Sequence, residues 1–176
     1  VYNSDVGLYG AFHSWVGSQI GYFNIVKNIY KSCKNPLILG LEAFGTNDQK
    51  YLDAYLQGEI TLERLFIEVD YEKNWGFPSD IYQHILSFAK KEHIQVFGIN
   101  ETRSCLQLRD QMIAESILEK ANQNPNSIFV CLIGEFHLAN NHLPKYITED
   151  NTAKQKTKLT KILNNIDYYY FAAQKS

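Results

Sequence analysis

The chain has 176 residues, 45% of them hydrophobic, and its 17 Lys and Arg against 19 Asp and Glu leave a net charge of -2. That length fits one domain with a sizeable core and excludes a disordered chain. The near-neutral balance offers no basic field for nucleic acid and no polybasic anchor for anionic lipid, so neither is an expected partner.

In chain order, Val6 to Tyr9 is a strand-length apolar run. Gln19, Tyr22, Phe23, Val26, Ile29 and Tyr30 then recur at helical spacing. Leu37 to Leu41 is a second strand. Leu52 to Leu56 and Leu62 to Ile67 read as a helical hairpin turned at Gln57, Gly58 and Glu59. Pro78, Ser79 and Asp80 start a helix carrying Ile81, Ile85, Leu86, Phe88 and Ala89. Ile94 to Ile99 is the third strand. Met112, Ile113, Ile117, Leu118 and Ala121 mark a helix that ends near Asn124 and Pro125. Ile128 to Ile133 is the fourth strand. The polar stretch Thr152 to Asn164 reads as a helix with Leu159, Ile162 and Leu163 on one side, and Tyr168 to Ala172 as a fifth strand.

Strands that are apolar along their whole length expect cover on both faces. Their alternation with helices predicts a single α/β domain over 1–176, with an open, mainly parallel sheet and helices on both faces. A helical insertion between the second and third strands caps it. Cys33, Cys105 and Cys131 are too widely spaced for a zinc finger or a disulfide framework. No run reaches the roughly 20 apolar residues that span a bilayer, and no signal peptide is visible. The chain starts at Val1 without Met, which suits a trimmed or mature form.

Ligands of open α/β sheets bind beyond the carboxyl ends of the strands. After the first strand stands Gly10-Ala11-Phe12-His13, after the second Glu42, after the third Asn100, and after the fourth Gly134-Glu135-Phe136-His137. Two turns therefore carry Gly-x-x-His with Phe before His. Neighbouring strand ends lie about 5 Å apart, so two imidazoles and a carboxylate are expected to meet in one cleft. The glycines are expected to take backbone angles closed to other residues. His and Glu suit a divalent metal, a general base or a polar clamp. His142 follows the second motif closely. Arg109 and Asp110 begin a helix, as a charge pair or as a clamp near the site. Trp75, Phe77 and Pro78 are candidates to wall a pocket. Gly-x-Gly-x-x-Gly, a phosphate loop and a nucleophile elbow are all missing.

At these residues the sequence resembles the ChaN-like haem-binding family, within the erythromycin-esterase and Tiki superfamily. The similarity runs from about Val6 to Pro144. It is carried by Gly10 to His13, Leu39-Gly40-Leu41-Glu42-Ala43-Phe44, Tyr55 to Ile60, Ala89-Lys90 through Gly98-Ile99-Asn100, Leu108 to Ala114, and Gly134 to Leu138. The resemblance implies a lipid-anchored haem-binding protein of bacterial iron uptake at the outer membrane or periplasm, working as a homodimer. Its lipid anchor, the expected tie to a membrane, is absent from this chain. It also implies His13, Glu42 and His137 as a polar site, with Arg109 and Asp110 as neighbours. Haem needs an apolar slot and an axial ligand such as Tyr or His. Tyr51, Tyr55 and Tyr82, on or near the insertion, are the tyrosine candidates, with His142 and Arg109 as further haem contacts. The alternative is a metal-dependent hydrolase in which His13, His137 and Glu42 hold a divalent ion or move protons. The family usually has Glu where this chain has Ala11, and that loss weighs against catalysis.

Overall fold

Five parallel strands, in the order β3-β2-β4-β1-β5, form the sheet of the computed structural model, which describes residues 5–101, 105–149 and 157–163. β1 (Val6–Ala11) is buried along its length. α1 (Val16–Ser32) leads to β2 (Leu37–Gly45). A 3-10 turn (Thr46–Asp48) opens the insertion of α2 (Gln49–Gln57), α3 (Leu62–Glu68), α4 (Tyr71–Asn74) and α5 (Asp80–Lys91). β3 (Gln95–Asn100), α6 (Leu106–Gln123) and β4 (Ile128–Gly134) follow. A second 3-10 turn (Glu135–Leu138), α7 (Leu143–Thr148) and β5 (Leu159–Leu163) complete the described elements.

The unbroken apolar strands are explained by two cores. Because side chains alternate along a strand, Tyr9, Leu39, Leu41, Val130 and Leu132 face the cap and α1. Val6, Leu8, Ile38, Phe129, Cys131 and Ile133 face α6 and α7 on the other side. Two phenol groups buried within this packing find backbone acceptors, the usual outcome for polar atoms removed from water. The Tyr22 hydroxyl donates to the Val130 carbonyl at 3.0 Å and that of Tyr9 to Ser18 at 2.9 Å. The hairpin turn expected at Gly58 is present, with a left-handed φ of 86° that closes α2.

The carboxyl end of the sequence corrects one expectation. Leu159–Leu163, read as part of a helix over Thr152 to Asn164, is the edge strand β5, parallel to β1 with Leu8 opposite Lys161. Its residues are only partly buried, so an edge strand interrupted by Thr160 and Lys161 lacks the continuous apolar signature of the inner four. The strand expected at Tyr168 to Ala172 lies outside the described residues.

β2 and β3 keep one register from Ile38 to Leu41 and shift it before Gly45. Glu42 sits in that irregular stretch, just where β2 also leaves β4. The crossing is tight: a Cβ on Gly98 would stand 2.3 Å from the Gly45 carbonyl oxygen. No side-chain rotation relieves a clash with backbone. Gly98→Ala is therefore expected to lose about 1–3 kcal/mol in urea unfolding. An unchanged midpoint would mean that the strand crossing yields freely.

Candidate functional site

The strand ends hold one connected polar network, and Glu42 is its hub. Only 4% exposed, Glu42 spends both carboxylate oxygens. Oε2 accepts from the Gly134 backbone N–H at 2.6 Å and from His13 Nε2 at 3.2 Å. Oε1 meets Arg109 Nη2 at 3.1 Å and His137 Nε2 at 3.2 Å. Arg109 also donates to Asn100 Oδ1 at 3.0 Å. Glu42, Asn100, His13, His137 and Arg109 come from four separate strand ends and from α6, so the convergence is a product of the fold.

Burial alone would raise the Glu42 carboxyl, but hydrogen bonds and positive charge from His13 and His137 hold it well below the usual carboxylate range. It is a fixed anion at physiological pH.

Behind Glu42 lies a second carboxylate. Asp110 is fully buried. It accepts from His137 Nδ1 through Oδ1, and from His142 Nδ1 through Oδ2 at 2.6 Å. His137 thus bridges two carboxylates. Burial would lower its imidazole, yet hydrogen bonds and charge from Asp110 and Glu42 outweigh that and hold it at about 9. Held protonated by the two carboxylates, it is a donor and a cation at neutral pH.

Gly134 owes its place to space. Its φ of -59° is open to any residue, contrary to the unusual angles expected of it. A Cβ there would lie 3.0 Å from His13 Nε2 and 3.4 Å from Glu42 Oε2. The missing side chain lets the backbone N–H reach Glu42.

His13 stands apart from the other two imidazoles. Its side chain is 15% exposed, against 6% for His137 and 4% for His142. Its Nδ1 has no hydrogen-bond partner among the described residues. Trp75 and Phe77, from the insertion, pack on the ring with centroids at 4.6 and 5.4 Å. A pocket of about 200 Å³ opens beside it, walled by Phe12, Phe77, Gly134 and Phe136. Phe12 and Phe136, the residues before the two motif histidines, are nearly half exposed, and so is Trp15.

The other expected site residues fall as follows. Arg109 and His142 face carboxylates inside the network: Arg109 is a clamp on Glu42, and His142 meets Asp110. Tyr51 and Tyr55 lie on α2 in the core on the cap side, with the Lys50 and Lys90 ammonium groups 4.6 and 4.5 Å from their ring centroids. Tyr82 is fully buried below Trp75, at 6.3 Å between centroids, and burial pushes its phenol well above the ordinary value. The nitrogens of His13 and His137 nearest Glu42 are turned onto its oxygens. Among the described residues, no three His, Cys, Asp or Glu side chains are placed to hold a metal ion.

Phe12 and Phe136, which wall the pocket, were legible only as the residues before the two motif histidines. Asp110 carried a signal of its own. It shares the buried face of α6 with Ile113, Ala114 and Ile117, at spacings of three, four and seven, and so puts a charge on an apolar stripe.

A family model described as "Haem-binding uptake, Tiki superfamily, ChaN" matches residues 2–108. The chain belongs to this ChaN family. The match includes His13, Glu42 and Asn100, while Arg109, Asp110, His137 and His142 come after it. Among solved structures, ChaN of Campylobacter jejuni, described with cofacial haem binding, superposes with a TM-score of 0.71 at 15% identity, covering 94% of this chain and 83% of that one. RRSP, a MARTX toxin effector domain from Vibrio vulnificus CMCP6, gives 0.57 at 16% identity over 78% of this chain and 28% of the other. The type III effector HopBA1 gives 0.57 at 13% identity over 89% and 75%. At such identities these likenesses establish the ChaN fold. No curated protein sequence matches the chain.

Proposed function

We propose that this ChaN-family protein binds haem at the strand-end cleft, with His13 as the imidazole facing the iron, and that it serves bacterial haem and iron uptake outside the cytoplasm. The observation that carries the reading is His13 itself. One ring nitrogen is held by Glu42, the other is buried without a partner, and the ring stands beside an aromatic-walled pocket. A ligating imidazole backed by a carboxylate is the common arrangement, because the carboxylate fixes the ring's orientation and makes it a better donor. A bound haem supplies the iron centre that such a protein carries. His137, already charged and hydrogen-bonded at both nitrogens, sets the position of Glu42 and is not itself offered to a ligand.

Size supports a homodimer. Sites that enclose an organic ligand run to about 300–1,000 Å³. The pocket beside His13, at about 200 Å³, holds only part of a macrocycle. Phe12 and Phe136 extend the apolar surface outward. A second copy placed against that rim covers the face of the haem that one copy leaves open. The cofacial haem binding described for the Campylobacter jejuni protein favours this.

Titration with haemin, followed through the Soret band, is expected to show a saturable shift at micromolar concentration. His13→Ala is expected to weaken it by at least about 100-fold, since losing a ligand costs no less than losing the outer-shell partner behind it. A wild-type protein without a saturable shift removes the proposal.

A further inference from the structure

The cap holds a cavity of its own, away from the strand ends. It measures about 610 Å³ and lies between α3, α4 and the start of α5. That volume is within the range of sites for small organic ligands. Leu62, Phe66, Ile67 and Tyr71 give it an apolar lining, and Ile67 is 66% exposed. The Phe66 and Tyr71 rings meet edge-on with centroids 4.7 Å apart. Tyr71 is 4% exposed, and its hydroxyl has no hydrogen-bond partner among the described residues. Burial pushes its phenol up, so it stays neutral.

Three carboxylates, Glu63, Asp70 and Glu72, also line the cavity, and no lining residue is a Lys or Arg. Asp70 has Lys73 at 3.6 Å, an exposed pair of little strength. Glu63 and Glu72 make no ion pair among the described residues. Apolar walls with aromatic faces and an acidic rim fit a cation that also carries an apolar group. The same rim repels the propionates of haem, which separates this cavity from the His13 site in kind as well as in place.

We propose that the cap cavity binds a protonated alkylated amine bearing an apolar group. The ammonium lies among Glu63, Asp70 and Glu72 and against the Phe66 ring, and the apolar part fills the space along Leu62 and Ile67. The proposal does not depend on haem binding.

The test is calorimetric titration of the full chain with N,N-dimethylbenzylamine, a cation at neutral pH. Isobutylbenzene serves as its neutral isostere and phenylacetate as an anion. The amine is expected to bind saturably and the other two to bind at least about tenfold more weakly. E63Q/D70N/E72Q is expected to lose about tenfold in amine affinity. Phe66→Leu, which keeps apolar volume without the ring, is expected to lose about two- to fivefold. Circular dichroism confirms that each variant folds, and unchanged haemin titration shows that the strand-end site is intact. Amine binding that is absent, matched by phenylacetate, or unaltered in the triple variant overturns the proposal.

Discussion

Asp110→Ala is expected to remove about 3–5 kcal/mol of folding stability, the range for stripping one partner from a buried charged pair. Asp110 is fully buried on the apolar face of α6, and its two oxygens take the Nδ1–H groups of His137 and His142. With Ala, both imidazoles lose their acceptor in a place that water does not reach, and His137 is left as a cation with only Glu42 for company. In a domain of this length the loss corresponds to a fall in Tm of about 10 °C. Asp110→Asn keeps the shape and one acceptor oxygen, so its loss is expected to be smaller. Urea unfolding of the two variants gives the comparison. A loss below about 1 kcal/mol for Asp110→Ala would show that the two histidines hold their positions without it.

Glu42→Gln is expected to cost about 3–4 kcal/mol at neutral pH, and to change how stability depends on pH. The folded His137 imidazole titrates at about 9, above its ordinary 6.5. A group raised in this way contributes fully below about 6.5 and loses that contribution as pH climbs through about 9. The difference amounts to roughly 3 kcal/mol, shared with the carboxylates that cause it. Glu42 works in the opposite direction. Its folded value lies below its ordinary 4.5, so its contribution is present above that pH and fades as the solution is acidified further. The wild-type protein is thus expected to be most stable between roughly pH 5 and 6.5 as far as this network decides, and to weaken towards pH 9. Glu42→Gln removes one of the two anions holding His137 protonated, so the alkaline decline is expected to shrink. Unfolding free energies measured at pH 6, 7.5 and 9 for both proteins decide it. Parallel curves would mean that Glu42 and His137 are not coupled. Arg109, 27% exposed on its side chain, turns to solvent more easily than His137 and accounts for little of the loss.

Much of this site is readable in the chain because sequence position and spatial position coincide at strand ends. His13, Glu42, Asn100 and His137 each follow an apolar run within a few residues, and a parallel sheet brings all such ends to one edge. What did not show was the partner of each group. Glu42 and Asp110 divide the imidazoles between them through side-chain directions that no spacing rule supplies. The glycine of the second motif looked like a backbone device and is a gap that admits an N–H to Glu42. β5 was misread because an exposed edge strand with Lys161 at its centre offers neither a continuous apolar run nor alternation. Tyr55 and Tyr82 pack in the aromatic core, and no sequence pattern separates a packing tyrosine from one that meets a ligand.

Resonance Raman spectroscopy of the haem complex, wild type beside His13→Ala, tests the assignment of the strand-end cleft most directly. The expected result is a histidine-ligated haem in the wild type that is lost in the variant. An iron–phenolate band, present in the wild type and unchanged by His13→Ala, would contradict it.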